Sequence, residues 1–236
     1  MVKQDLYKKS PVRLFDEATN GGLEAGKIGL VTSKKGLGKT SVVVQFGMDT
    51  LLKDEQLVHV TFDLHSSNVI SWYDGIFNEI AKKSAGNSAE LKNDVVSKRT
   101  ILNFSLDNFT VTKVVNTLKA LSSAGIAVKG VVMDGFDFTK VSEEDIKAVA
   151  DYAAQEKVTV WGSATVEGTK LAEVVPANVE KYFSAVINLN QTENAVAVDI
   201  LKFNDSTNIA SGLKLDSKTL LISKSVSTET TKGAVQ

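Results

Sequence analysis

A segment of nine residues, SKKGLGKTS from Ser33 to Ser41, holds the side chains best suited to bind a charged ligand. It matches the pattern G-x-x-x-x-G-K-[ST], except that serine stands where the pattern begins with glycine. In such a loop, successive backbone N–H groups point inward and surround a phosphate, and the lysine neutralises phosphate oxygens. The hydroxyl after the lysine binds Mg²⁺. The segment therefore predicts a site for the polyphosphate of a nucleotide together with magnesium.

Each type of residue in this loop has its own expected contact with the nucleotide or the metal. We expect Lys39 to neutralise the β- and γ-phosphate oxygens, and Thr40 to place its hydroxyl on the metal. Gly36 and Gly38 let the backbone approach the phosphates because they carry no Cβ. Glycine is needed at the position of Ser33 only if φ is positive there or the backbone is closely approached. The other expected nucleotide-binding residues are Lys34, Lys35, Leu37 and Ser41.

Two apolar segments end in acidic residues that could complete such a site. The segment VKGVVMD ends at Asp134, and a carboxylate at the end of a buried strand can hold magnesium through water. The alternative is a turn-forming aspartate, because turns favour Asp-Gly. The segment LVHVTFD ends at Asp63 and lies between the loop and Asp134 in sequence. Asp63 is therefore expected to lie beside the γ-phosphate and to polarise water.

These side chains need a sheet that brings the ends of several strands together. Short Val- and Ile-rich segments alternate with segments of helical period, as in βαβ units. Their nearly continuous hydrophobicity predicts an α/β fold with a mainly parallel sheet covered by helices on both faces. After Asn190, alternating segments predict antiparallel strands added near the C-terminus. The predicted strands are KIGLVTS from Lys27, LVHVTFD from Leu57, KGVVMD from Lys129, VTVWGSA from Val158 and SAVINLN from Ser184. The predicted helices are TSVVVQFGMDTLLKD, SNVISWYDGIFNEIAKKS, TVTKVVNTLKALSSA and SEEDIKAVADYAAQE.

Length and composition limit the domain organisation, the kinds of binding site and the location that the chain can have. With 236 residues and 43% hydrophobic content, the chain suits a single domain over 1–224, followed by a flexible polar tail over 225–236. The net charge of -1 is unlike that of a dedicated nucleic-acid binder. There is no cysteine for disulfides or thiolate sites, and the two histidines lack zinc-ligand spacing. Without an apolar segment long enough for a signal peptide or membrane span, the expected location is cytoplasmic, with no membrane insertion.

The longer segment SPVRLFDEATNGGLEAGKIGLVTSKKGLGKTSVVVQF resembles the opening of KaiC-like ATPases of the RecA superfamily. In that family a short helix and a Gly-Gly-Leu turn, here Gly21 to Leu23, precede the strand and the phosphate loop. With the acid-ended strand, Asp134 and a late ILKFNDS strand, the resemblance extends from about Val12 to about Ser223. It implies a RecA-like P-loop NTPase that binds ATP and Mg²⁺. It also implies a homo-oligomeric ring or filament with ATP between neighbouring subunits.

Three residues depart from the family pattern, all at the expected nucleotide site. Ser33 replaces the first glycine of the loop. One or two glutamates follow the second strand in the family, where this chain has the shorter Asp63. The family's late strand often carries a Lys-x-Arg pair that reaches the neighbour's γ-phosphate; Lys202 matches the lysine, but Asn204 replaces the arginine. Asp63 and Lys202 are thus the expected catalytic residues. Loss of an arginine finger slows hydrolysis on the order of a thousandfold or more in related chemistry.

These features favour an ATP-binding, oligomeric regulatory or assembly switch with weak or absent hydrolysis, which could act with a protein partner. An active ATPase of the same fold, working as a motor or in phosphotransfer, is the main alternative. A recombinase-like DNA-binding protein is less favoured because GFDFTKVSEED, after the Asp134 strand, is short and acidic. A scaffold that binds no nucleotide is the fourth reading.

Five further side chains have two interpretations each. Ser163 and Thr165, at the end of VTVWGSAT, lie where the resembled RecA-like proteins keep a polar sensor of the γ-phosphate, although hydroxyls at strand ends are commonly satisfied locally. Trp72, Tyr73 and Phe77 could stack on a base or a partner, but their spacing fits a core-facing side of a helix better.

Overall fold

The central feature of the fold is a largely parallel β-sheet, seen in a computed structural model that describes residues 3–62, 66–82, 89–105 and 109–225. Its parallel strands are β1 (Ile28–Ser33), β2 (Gln56–Phe62), β3 (Arg99–Phe104), β4 (Val128–Asp134), β5 (Thr159–Thr165) and β6 (Phe183–Gln191). They lie in the order β6-β1-β5-β4-β2-β3. Because β5 lies between β1 and β4, the ends of all three strands meet at one edge.

Antiparallel strands extend the sheet beyond β6, as the alternating sequence after Asn190 predicts. Here β7 (Val196–Phe203) pairs antiparallel with β6, and β8 (Ser206–Ile209) pairs with β7. A short hairpin of β9 (Leu213–Leu215) and β10 (Ile222–Lys224) continues the edge next to β7. The C-terminal part of the chain therefore belongs to the same sheet as the phosphate-loop strand.

Helices cover both faces of the sheet. Thr110 and Ser142 cap two of them through side-chain hydrogen bonds, and Ser142 forms a reciprocal capping box with Asp145. No helix in the described ranges has both the length and the apolar character needed to cross a bilayer. The helices are α1 (Lys3–Lys8), α2 (Val12–Thr19), α3 (Lys39–Leu52), α4 (Ser66–Ala81), α5 (Ala89–Val96), α6 (Val111–Ser123), α7 (Glu143–Glu156) and α8 (Leu171–Val174), with a 3-10 turn at Glu180–Tyr182.

An aromatic cluster fixes α2 and α3 against the sheet. Phe46 of α3 stacks on Trp161 of β5 with ring centroids 3.8 Å apart. Phe15 of α2 packs edge-on against both rings, at 5.3 and 5.7 Å. Gly29 of β1 makes room for the indole, because a Cβ at that position would lie 2.5 Å from the Trp161 ring. The helix that follows the phosphate loop is thereby held at a fixed position over β1.

The architecture confirms the predicted α/β fold, its five strands, its four helices and the antiparallel extension. The sixth parallel strand, β3, was not predicted. It is an edge strand of only partly buried residues, so its hydrophobic signal is weaker than that of the central strands. Helices α1 and α5 were also missed, and each buries a single residue, which leaves little periodicity to detect.

Candidate nucleotide site

The loop between β1 and α3 has the backbone conformation that a phosphate cradle needs. Gly36 and Gly38 adopt φ values of 88° and 100°, which side-chain-bearing residues rarely adopt. A Cβ on Gly38 would also lie 3.0 Å from Leu215 of the C-terminal hairpin. No side-chain hydrogen bond caps α3 at Gly38, so the first N–H groups of the helix face the loop without a protein cap. A helix start of this kind favours an anion.

Lys39 folds back over its own loop. Its Nζ donates to the backbone oxygens of Ser33 and Lys34 at 3.4 and 3.3 Å, and to Ser33 Oγ at 3.2 Å. Burial lowers the pKa of Lys39, and the negative charge of Asp134 opposes that shift in part. The ammonium group is thus partly desolvated and held by neutral oxygens. A phosphate in the loop would favour its charged form.

Ser33 fits the first position of the loop because the backbone there does not need the positive φ that favours glycine. It ends β1 with a negative φ and is fully buried. Its hydroxyl donates to the Lys34 carbonyl at 2.6 Å and accepts from Lys39. The Ser33 side chain therefore helps to place the lysine. The other two loop lysines, Lys34 and Lys35, are exposed, whereas Leu37 packs in part against the core.

Thr40 and Asp134 meet at the carboxyl edge of the sheet. Thr40 Oγ1 donates to Asp134 Oδ2 at 2.9 Å. Ser163 Oγ donates to the other carboxylate oxygen and accepts from the backbone N–H of Gly135 at 2.8 Å. Because β5 separates β1 from β4, Ser163 is the residue between the loop and the acid. The sensor candidate is therefore bonded to the acid in this structure.

This pair of oxygens fits a magnesium ion. Mg²⁺ prefers hard oxygen ligands and is held in such sites by one or two protein groups, with phosphate and water completing six positions. Within the described ranges, no three His, Cys, Asp or Glu side chains gather as a metal site. Thr40 and Asp134 could thus hold the ion only together with phosphate oxygens, which is the arrangement that a phosphate loop provides.

A second set of contacts connects α3 to the hairpin formed by β9 and β10. Ser41 Oγ and Gln45 Nε2 both donate to the Leu220 carbonyl, at 2.9 and 3.1 Å. The backbone N–H of Ile222 donates to Gln45 Oε1 at 2.9 Å. Leu220 is held with a φ of 57°, an uncommon conformation for a leucine. Gln45 was missed as a site residue, and its signal is a polar side chain inside the apolar stretch VVVQF.

The three aromatic residues of α4 divide between core and surface. Tyr73 and Phe77 are buried, as their spacing predicts. Trp72 is only partly buried and lines an open cavity of about 340 Å³ with Thr40, Asn68 and Ser71. One aromatic side chain of α4 therefore lies next to the candidate site.

Comparison with known proteins identifies the family. A model of the KaiC ATPase family matches residues 9–137, which is more than half of the chain and includes the phosphate loop and Asp134. The chain belongs to the KaiC ATPase family. Its members are P-loop proteins of the RecA superfamily, so this is an ATP-binding protein with a RecA-like fold. A search of the curated proteins found no match.

Lys202 and Asn204 lie beyond the segment matched to the KaiC family, and both are placed back from the carboxyl edge of the sheet where the loop lies. Lys202 pairs with Val186 in the β6–β7 register, whereas Ser33 pairs with Leu189, nearer the carboxyl edge. Lys202 Nζ contacts Glu180 through its backbone oxygen at 3.0 Å and its carboxylate at 3.2 Å. Within one chain Lys202 is therefore not beside the loop, and contact with ATP would require a neighbouring subunit.

Asn204 has a conformational role in this KaiC-family chain. Its φ is 50°, and its N–H donates to the Ser184 carbonyl at 2.6 Å, in the turn between β7 and β8. Asparagine tolerates this left-handed conformation better than most residues do. Asp63, the other expected catalytic residue, lies outside the described residues.

Proposed function

We propose that this KaiC-family chain binds ATP with Mg²⁺ and acts as an oligomeric regulatory or assembly switch whose hydrolysis of ATP is weak or absent. The observation that carries the proposal is a contrast between two groups of residues. Lys39, Thr40 and Asp134 are assembled in a form suited to a nucleotide, whereas Lys202 is bonded to Glu180.

Binding would use groups that are already close together. Lys39 would exchange the oxygens of Ser33 and Lys34 for phosphate oxygens, while the N–H groups of the loop and of α3 surround the β-phosphate. Thr40 and Asp134 would hold magnesium, which when bound neutralises charge on the β- and γ-phosphates. Ser163 would keep the carboxylate of Asp134 oriented through its hydrogen bond.

Slow turnover is proposed because hydrolysis needs further groups beyond those that bind ATP. A water must be oriented for attack, and Asp63 is one methylene shorter than the glutamate of the family pattern. Charge on the transferring phosphoryl group must also be neutralised. Asn204 is uncharged, and Lys202 would have to leave Glu180 before it could reach a neighbour's phosphate. These features together support nucleotide retention over rapid hydrolysis.

The organisation proposed around the site is a single domain over residues 1–224. The continuous sheet from β3 to β10 supports it, because the loop strand and the C-terminal hairpin belong to one sheet. The proposed flexible tail, 225–236, falls almost wholly outside the described residues, which end at 225. The ring or filament of identical subunits, the protein partner and the cytoplasmic location are also proposals, the first of them from the resemblance.

An active ATPase is the second candidate, because the loop lysine and both magnesium-binding candidates are intact. DNA binding has less support. The net charge is -1, and the segment between β4 and α7 carries acids up to the first turn of α7.

Equilibrium titration with a fluorescent ATP analogue, with and without Mg²⁺, tests the binding proposal. Wild-type protein should bind saturably, and Lys39→Ala should weaken binding by roughly 10- to 150-fold, the value of a charge-assisted hydrogen bond. Lys35→Ala is the matched control, since this exposed lysine belongs to the same loop and should change affinity little. Absence of saturable binding by the wild type would refute the proposal. Brisk phosphate release in a steady-state assay would instead favour the active ATPase.

A further inference from the structure

A stripe of polar side chains runs through the core beside Asp134. His59 and Thr61 of β2 are both fully buried, and they point to the face of the sheet that α3 and α4 cover, because they alternate with the opposite-facing Val58 and Val60. In the register of β2 with β4, Thr61 is the direct neighbour of Asp134, and His59 is the neighbour of Val132. The stripe therefore leads from the core to Asp134, the proposed magnesium ligand.

The inner end of the stripe is fixed by Tyr73 of α4. His59 Nδ1 and the Tyr73 hydroxyl are 3.0 Å apart, at hydrogen-bonding distance. Burial lowers the pKa of His59 to about 4 and raises that of Tyr73, so both groups are neutral at physiological pH. The Tyr73 hydroxyl packs directly against Gly47 of α3. A Cβ on Gly47 would lie 2.3 Å from this hydroxyl, so glycine leaves the room that it occupies. Tyr73 thus connects His59 to the helix that follows the phosphate loop.

Two atoms of this stripe have no hydrogen-bond partner among the described residues. They are His59 Nε2 and Thr61 Oγ1, and both are buried. Buried polar atoms without partners are costly, and in folded proteins ordered water commonly satisfies them. Residues two apart on a strand are separated by roughly 6.6 Å at the backbone, a gap that one water with two hydrogen bonds can bridge.

Charges of opposite sign lie at the two ends of the stripe, Asp134 next to Thr61 and a cation next to Tyr73. Arg99 of β3 lies over the Tyr73 ring, with its guanidinium carbon 4.7 Å from the ring centroid. This positive charge at the inner end opposes a cation next to His59. A neutral molecule with two donors and two acceptors suits an imidazole nitrogen, a hydroxyl and a carboxylate.

We propose that a buried water molecule bridges His59 Nε2 and Thr61 Oγ1 and continues to the carboxylate of Asp134, which makes His59 and Thr61 positioning residues for that carboxylate. Tyr73 donates to His59 Nδ1, and the Nε2–H of His59 donates to the water. The water also accepts from the Thr61 hydroxyl and donates to Asp134, which already accepts from Thr40 and Ser163. The last step, an effect on magnesium, rests on the proposed function, whereas the water site does not.

The water site is tested in nucleotide-free protein. A high-resolution crystal structure should show density within hydrogen-bonding distance of both atoms, and ¹⁵N NMR should find His59 as a single neutral tautomer with the proton on Nε2. Tyr73→Phe keeps the ring, removes the donor to Nδ1, and should give a mixture of tautomers. A dry gap, or a proton on Nδ1 in the wild type, would overturn the proposal.

The positioning role is tested with two substitutions at one residue. Thr61→Val keeps the side-chain shape and removes the hydroxyl, and Thr61→Ser keeps the hydroxyl. Thr61→Val should raise the Mg²⁺ concentration for half-maximal binding of an ATP analogue by about tenfold, as loss of a group that orients a metal ligand commonly does. Thr61→Ser should stay near wild type, and affinity measured without Mg²⁺ should be unchanged in both. Equal losses in both variants would overturn the role. If wild-type protein bound no nucleotide, the proposed function would fail while the crystallographic test of the water would stand.

Discussion

Thr40 and Asp134 are 94 residues apart in sequence and are joined by a hydrogen bond of 2.9 Å. Thr40 is the second residue of α3, the helix after the phosphate loop, and Asp134 ends β4, which lies two strands from β1 in the sheet. The contact places a hydroxyl and a carboxylate together, so a magnesium ion would meet two adjacent oxygen groups. Preorganisation of this kind reduces the ordering cost of binding.

Asp134→Asn should weaken the binding of the magnesium ion that accompanies ATP. The amide keeps the shape and the bond to Thr40 but loses the charge that attracts the ion. We expect the Mg²⁺ concentration for half-maximal binding of an ATP analogue to rise by about tenfold or more. Asp137→Asn is the matched control, because this nearby, partly exposed acid bonds to Thr139 instead. Equal effects of the two substitutions would argue against a magnesium role for Asp134.

Restoring the residues of the family pattern should accelerate turnover. Asp63→Glu combined with Asn204→Arg should raise steady-state phosphate release by about tenfold or more, since an arginine finger contributes on the order of a thousandfold or more elsewhere. Asp63→Glu combined with Asn208→Arg is the control, because Asn208 has a similar left-handed φ of 53° in the same hairpin. If both double variants remain at the wild-type rate, the missing arginine does not limit hydrolysis.

Gln45→Leu should destabilise the protein through the C-terminal hairpin. The substitution removes the acceptor for the Ile222 N–H and one of the two donors to the Leu220 carbonyl. A buried group left unpaired costs about 1–3 kcal/mol, which for a chain of this size lowers the melting temperature by roughly 2–4 °C per kcal/mol. Gln191→Leu, at an exposed position, should change it little. Equal melting temperatures for wild type and Gln45→Leu would contradict the proposed coupling of α3 to the hairpin.

Acid should destabilise the fold through His59. Its folded-state pKa of about 4 lies below the ordinary value of 6.5, so the unfolded chain binds the proton more tightly. The stability from the neutral ring is therefore full above pH 6.5 and is lost as the pH falls towards 4, by about 3 kcal/mol at most. Denaturant melts of wild type and His59→Gln across this range measure the difference. If the free energy of unfolding changed with pH in the same way in both proteins, His59 would not be the source of the loss of stability in acid.

The sequence predicts the loop strand, the helix after it and Asp134 because each depends on local pattern and spacing. The phosphate loop is contiguous, and the buried strands are uniformly apolar, so a single chain suffices to find them. Gln45 could not be assigned in this way, since its partner Ile222 is 177 residues away. His59 was missed for a similar reason: its neighbours Tyr73 and Asp134 come from a helix and a strand whose packing is not visible in sequence. The partner of Lys202, Glu180, likewise becomes evident only from the fold.

A crystal structure of the protein grown with ATP and Mg²⁺ tests the central claim most directly. We predict an intact triphosphate in the loop from Ser33 to Thr40, with Lys39 on its oxygens and the metal at Thr40 and Asp134. Intact ATP after days of growth would agree with both binding and slow hydrolysis. A loop that remained vacant at millimolar ATP would contradict the account, and a site filled with ADP would contradict its claim of slow turnover.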